Sequence, residues 1–227
     1  MRVTLTFDNG PDPEVTPRVL EILARRGITA QFYVLGKWLT DPARRRCVVE
    51  ARDAGHLIGN HSFSHDVPLG EDPRPDAVAR EIAATEALLA PLVPGPRRFR
   101  PFGGGGAIGP HLLSRAAVDY LIAHSYTCVL WNSVPRDWAD PDGWVARALA
   151  DCTDDASHTG DPAVTAPTHT VIVLHDLPGA SLAGLDDFLG TLLDRGAELT
   201  AELPESCTPI VDGHVVTTLD GLVAPDS

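Results

Sequence analysis

The sequence is short of cysteine, of basic residues and of long apolar runs, and each shortage closes off a class of protein. Its four cysteines, Cys47, Cys128, Cys152 and Cys207, are too few and too scattered for a disulfide framework or a zinc knuckle, which leaves free thiols. Lys and Arg number 18 against 31 Asp and Glu, a formal charge of −13. Affinity for nucleic acid comes mainly from Lys and Arg neutralising phosphates, so this balance excludes a polyanionic partner and suits a neutral or cationic one. No window approaches the roughly 18 consecutive apolar residues that a membrane span needs. Met1 runs at once into a strand pattern, without the charged segment, apolar stretch and cleavage site of an export leader. The expected location is therefore the cytoplasm, or outside the cell only if a leader has been removed.

What is present is a chain of 227 residues with 44% hydrophobic content, enough for one sizeable core and, by expectation, one domain over residues 1–227. Val3-Thr4-Leu5-Thr6-Phe7 reads as a strand that Gly10-Pro11 breaks. Residues 13–26 carry apolar side chains at helical spacing, 29–35 read as a strand, and 42–55 as a helix between a Pro start and a Gly stop. The pattern continues with a strand at 56–60, a helix at 77–89, a strand at 98–101 and a helix at 110–124. A strand at 126–131, a helix at 142–150, a strand at 170–174, a helix at 182–194 and a short strand at 198–203 complete the series. Residues 151–169 lack periodicity and read as a loop long enough to be functional or mobile. Ile210 to Val216 reads as a hairpin on an Asp-Gly turn. Seven strands alternating with helices predict an α/β fold, a distorted (β/α) barrel of about seven parallel strands, with an open doubly wound sheet as the alternative.

The polar clusters favour the barrel. Asp8-Asn9, His61 with His65, Arg100, Asp137-Trp138 and His175-Asp176 all fall at or just beyond the C-terminal ends of strands, where barrel enzymes build their sites. His61 and His65 are four residues apart, a spacing from which two neutral imidazoles converge on a first-row metal, and Asn9 or Asp8 can supply a third ligand from another strand end.

Taken together, Thr6-Phe7-Asp8-Asn9-Gly10-Pro11, Gly59 to His65, Phe99-Arg100-Pro101-Phe102-Gly103, Arg136-Asp137-Trp138 and Val171 to Asp176 resemble, in order and spacing, the five motifs of the polysaccharide deacetylase family. This family is the NodB homology domain, or carbohydrate esterase family four. The resemblance implies removal of an acetyl group from an N-acetylated sugar or related small amide, with metal-bound water as nucleophile. It also implies one divalent metal, Zn²⁺ in the first place and Co²⁺ or Ni²⁺ as alternatives. The implied partner is a small molecule or short glycan carrying an N-acetyl group, with neither nucleic acid nor membrane involved.

By the same resemblance Asp8 is the catalytic base and Arg100 the arginine paired with it. His175 is the general acid, and Asp137 the carboxylate that tethers it. His61 and His65 are metal ligands, while Trp138 and Val173 line the acetyl pocket. Asn9 stands where the family has a second Asp as third ligand; neutral ligation should hold the metal less tightly and leave it more charge to acidify water. The family's Arg-Pro-Pro-Tyr-Gly becomes Arg100-Pro101-Phe102-Gly103-Gly104, so Phe102 or Gly103 takes the position whose backbone N–H completes the oxyanion hole. Val134 replaces the first Asp of the family's Asp-x-x-Asp-Trp. Two other functions compete with this one: hydrolysis of cyclic imides or ureides on the same fold, and a non-catalytic carbohydrate-binding relative suggested by Asn9 alone.

Overall fold

The computed structural model of the chain describes residues 1–152 and 168–225. The loop expected at 151–169 therefore lies almost wholly outside the described residues.

The frame is a parallel sheet of β1 (Arg2–Asp8), β2 (Gln31–Val34), β3 (Leu57–Asn60), β4 (Arg97–Phe99), β5 (Tyr126–Cys128) and β6 (His169–His175), in the spatial order β6-β1-β2-β3-β4-β5. β1 and β6 pair along their whole length, from Arg2↔His169 to Asp8↔His175. Every residue of β6 and all but the first of β1 are buried, as the continuous apolar runs of strands covered on both faces require. β7 (Glu198–Leu199) adds a seventh parallel strand, pairing with the start of β1. β8 (Ile210–Val211) and β9 (His214–Val215) form the expected hairpin, of which β8 pairs antiparallel with β5.

The sheet curls until its two edges meet. Past Val129 the chain leaves β4, and Ser133 forms a parallel bridge to Ile172 of β6, with Val173 N–H donating to the Ser133 carbonyl at 3.0 Å. That single bridge closes the distorted barrel. Strand five is shorter than the expected 126–131, because after the Val129 N–H bonds the Phe99 carbonyl of β4 the Leu130 N–H turns to the Cys207 carbonyl.

Helices α1 (Thr16–Arg25), α2 (Pro42–Asp53), α3 (Ala84–Leu89), α4 (Arg115–Ala123), α5 (Trp144–Cys152) and α6 (Leu182–Asp194) follow their strands in the order the periodicity predicts. Of those that start later than expected, α1 and α4 do so for local reasons. The Asp12 carboxylate accepts the Glu14 and Val15 N–H groups, holding residues 12–15 in a turn before α1. Ser114 accepts the Ala117 N–H and so caps α4, whereas Pro110–Leu112 form a separate 3₁₀ turn. The helix expected over 77–89 contains a π-helical turn at Ala79–Ala83 before α3. All four cysteines are buried free thiols, and no described helix is long and apolar enough to cross a membrane.

Candidate active site

β1 delivers Asp8 to the C-terminal mouth of the barrel with 3% of its surface exposed. A carboxylate buried there needs a partner. It has one in Arg100, just beyond β4, whose Nη1 donates to Asp8 Oδ1 at 3.0 Å and to Thr6 Oγ1 at 2.5 Å. The same guanidinium donates to the Val129 and Leu130 carbonyls and lies 4.2 Å above the centre of the Tyr33 ring. With its fork held on every side, Arg100 keeps Oδ1 occupied and leaves Oδ2 facing the mouth. Burial pushes the Asp8 carboxyl above its ordinary range against the opposing pull of Arg100 and His175.

The segment after β3 carries the histidine pair. His61 Nδ1 lies 2.8 Å from the Arg100 carbonyl oxygen, which can only accept, so that nitrogen holds the proton and the Nε2 lone pair is free. Its Nε2 stands 3.6 Å from Asp8 Oδ2, a contact that is not an ion pair, because burial lowers the His61 imidazole to about 3 and keeps it neutral. Burial first and His61 second also bring His65 down to about 3, and the two rings lie 5.1 Å apart. Two neutral imidazoles with free lone pairs are what a metal requires.

Two residues that sequence reasoning did not single out hold this loop. Asn60 accepts the Ser62 N–H and donates to the Ile82 carbonyl inside the π-helical turn. Glu81, on that turn and 3% exposed, accepts the Phe63 and Ser64 N–H groups and the Ser64 hydroxyl. The available signal was an acidic residue on the buried stripe of Ala77, Ile82 and Leu89. Trp38, likewise unnoticed, donates its indole N–H to the Asn9 carbonyl at 3.1 Å. Asn9 itself has φ 72°, a left-handed conformation that asparagine tolerates better than most residues.

Across the barrel, His175 at the end of β6 is oriented by Asp137. Its Nδ1 lies 2.8 Å from Asp137 Oδ1, and its backbone N–H donates to Oδ2 at 2.9 Å. Burial lowers the imidazole's proton affinity, but the Asp137 hydrogen bond and charge, helped by Asp8 and Asp176, leave it above the ordinary histidine value. Trp138, 40% exposed, packs edge-on against His175 with ring centres 4.8 Å apart.

Asp8, Asn9, His61, His65, His175, Phe102, Gly103, Trp138 and Val173 all line one cavity of about 490 Å³. Arg100 and Asp137 stand behind it, each fully buried and holding a lining residue. The two candidates for the oxyanion position are distinguished by packing. Phe102 stacks on His65 at 4.0 Å, while a side chain at Gly103 would collide with His111 and the Ala107 carbonyl. Neither the Phe102 nor the Gly103 N–H is hydrogen-bonded within the described residues.

The donor set fits a divalent metal in a particular way. Among the described residues, no three His, Cys, Asp or Glu side chains form a ready metal cluster. Asn9 Oδ1, however, is buried on this cavity without a hydrogen-bond partner. An orphaned amide oxygen beside two neutral imidazoles is a donor set that a cation would satisfy.

Residues 1–114 match the family model described as polysaccharide deacetylase. The chain belongs to that family. A chitooligosaccharide deacetylase of Sinorhizobium fredii is 31% identical over 189 residues, spanning 81% of this chain and 76% of its own. One from Rhizobium leguminosarum bv. phaseoli is 33% identical over 139 residues, 60% of this chain, and the match covers only 56% of that relative's length. In fold, the chain is similar to a family 4 acetyl xylan esterase from Clostridium thermocellum solved with a cobalt ion: TM-score 0.67, 27% identity, 88% of this chain and 87% of that one. Deacetylases of the polysaccharide deacetylase family are metal-dependent. The family model ends before Asp137 and His175, which lie in the second half of the barrel.

Proposed function

We propose that this polysaccharide deacetylase relative is a metal-dependent N-deacetylase acting on an N-acetylated amino sugar, as its chitooligosaccharide deacetylase relatives are named to do. A single observation carries the reading: one cavity joins a histidine pair and an orphaned amide oxygen to a carboxylate held by arginine and an imidazole held by aspartate.

His61, His65 and Asn9 would hold the cation, with Zn²⁺ the first choice given two nitrogen donors. When bound, it supplies Lewis-acid polarisation of the acetyl carbonyl and a more acidic water. Asp8 takes the proton of the attacking water at Oδ2, since Oδ1 is held by Arg100. The backbone N–H of Phe102 or Gly103 donates to the oxygen on which negative charge develops. His175, cationic through Asp137 and with Nε2 toward the cavity, protonates the departing amine, without which the C–N bond would expel a poor leaving group. Val173 and Trp138 bound the space for the acetyl methyl group. The whole chain works as one catalytic unit.

The test is acetate release from N-acetylglucosamine oligomers by the metal-loaded protein and by Asp8→Asn. Loss of a general base costs about 10²- to 10⁴-fold in turnover. Near-normal activity in the variant, with metal content retained, would remove Asp8 from the mechanism; no acetate from the wild type would remove the function.

A further inference from the structure

Beyond the groups that do chemistry, the cavity is walled by apolar side chains such as Phe102, Trp131, Val134, Trp138 and Leu177 and by the backbone of Gly103 to Gly106. Among the described residues no Lys, Arg, Ser, Thr or Gln side chain lines it. A sugar's hydroxyl groups therefore meet few side-chain partners there.

The one further polar side chain is Asp66, next to His65 on the rim. Its backbone N–H donates to Ser64 Oγ at 3.2 Å, which fixes its position, while its exposed carboxylate makes no hydrogen bond or ion pair among the described residues. The cations around the mouth are engaged elsewhere or set aside from it. Lys37 donates to the Ser64 carbonyl at 2.7 Å, and Arg100 is buried against Asp8. Arg136, on the Trp138 side, lies 6.0 Å from that ring's centre and does not line the cavity. Apart from the cation site itself and the paired groups behind it, the one charged side chain lining the cavity without a partner among the described residues is Asp66, and it is negative.

We propose that Asp66 is a specificity-determining residue and that the preferred substrate is an amino-sugar oligomer bearing a free ammonium group near the acetamide to be cleaved. This rests on the deacetylase reading above. An ammonium supplies the missing counter-charge, whereas a carboxylate-bearing sugar is repelled by Asp66. Each turnover converts a neutral acetamide into an ammonium, so one product is a better substrate for the next event on the same oligomer.

The experiment compares the metal-loaded wild type and Asp66→Asn on a fully acetylated N-acetylglucosamine pentamer and on pentamers with some free amines, at low and high salt. The wild type should favour the amine-bearing pentamer by about 2- to 5-fold in kcat/KM at low salt, the size an exposed ion pair supports. The ratio should fall to about one in Asp66→Asn and at high salt. A wild-type ratio near one, a ratio that survives in the variant, or preference for a carboxylate-bearing oligomer would overturn the assignment; the last would give the role to Arg136. Calorimetric binding of a fully deacetylated glucosamine pentamer provides an arm without turnover. If neither substrate yields acetate, the deacetylase reading fails, and equal binding by wild type and variant still rejects Asp66.

Discussion

Asp137 engages His175 with both carboxylate oxygens, one accepting the imidazole N–H and the other the backbone N–H of the same residue. The side chain and its own main chain are thereby locked to a single anchor, so the ring cannot rotate without breaking from it.

The first prediction concerns pH. A general acid works while protonated, so activity falls as pH rises through the His175 pKa, and a raised value extends activity toward alkaline pH. Asp137→Asn removes the charge that raises it. The alkaline limb of the kcat profile should move to lower pH, in a protein that still binds metal. An unmoved limb would mean that another group supplies the proton.

Replacing Asn9 by Asp tests the unusual third donor. A carboxylate attracts a dication far more than an amide does in a site shielded from water. Chelator competition should show tighter metal in Asn9→Asp, with turnover unchanged or lower because the new charge also acts on Asp8. Equal affinity would mean that position 9 does not touch the metal.

Glu81 is expected to act through the loop it holds. Glu81→Ala strands two backbone N–H groups and a hydroxyl, at about 1–3 kcal/mol for a buried group left unpaired. Denaturant unfolding should register that loss. Metal affinity should drop by about 10- to 100-fold, as when a supporting partner of a metal ligand is removed. Glu81→Gln, which keeps an acceptor, should recover part of both; affinity unaffected in either variant would confine Glu81 to stability.

Asp176 offers a stability test separate from catalysis. Burial raises its carboxyl to about 7 from 3.8, although Thr16 Oγ1 donates to it at 2.5 Å. A folded value above the unfolded one means that the native state binds more protons, so stability is lost as pH rises from about 4 through about 7. Asp176→Asn removes that slope. The stability of the variant relative to wild type should therefore grow across this window, by at most about 4 kcal/mol. A constant difference at pH 5 and pH 8 would place Asp176 in a more solvated setting than its burial implies.

Much of the frame was legible because its signals are local. Strand runs, Gly and Pro stops and helical periodicity give the alternation, and Asp8, Asn9, His61, Arg100 and His175 follow from standing where strands end. The residues that hold these groups left weaker traces. Glu81 supports the histidine loop through main-chain N–H groups, which have no sequence signature. Trp38 does the same for Asn9 from a 3₁₀ turn that carries no periodicity. The late starts of α1 and α4 depend on the turn that Asp12 holds and the cap that Ser114 makes, and those compete with helix propensity one residue at a time. Asp66 reads in sequence as an ordinary loop acid; only the apolar walls opposite give it meaning.

The closure of the barrel bears on how this site can be remodelled. Ser133↔Ile172 is a single bridge, and Asp137 leaves the chain four residues after one side of it while His175 ends the strand on the other. The acid-and-anchor pair therefore spans the seam, whereas Asp8, the histidine loop and Arg100 stand on the continuous run from β1 to β4. Lengthening or exchanging the segment after Ser133 and before β6, which leaves the Val129 and Leu130 carbonyls on Arg100, would redraw the leaving-group side of the pocket while the side that grips the cation kept its register, making this joint the natural place to graft a new specificity.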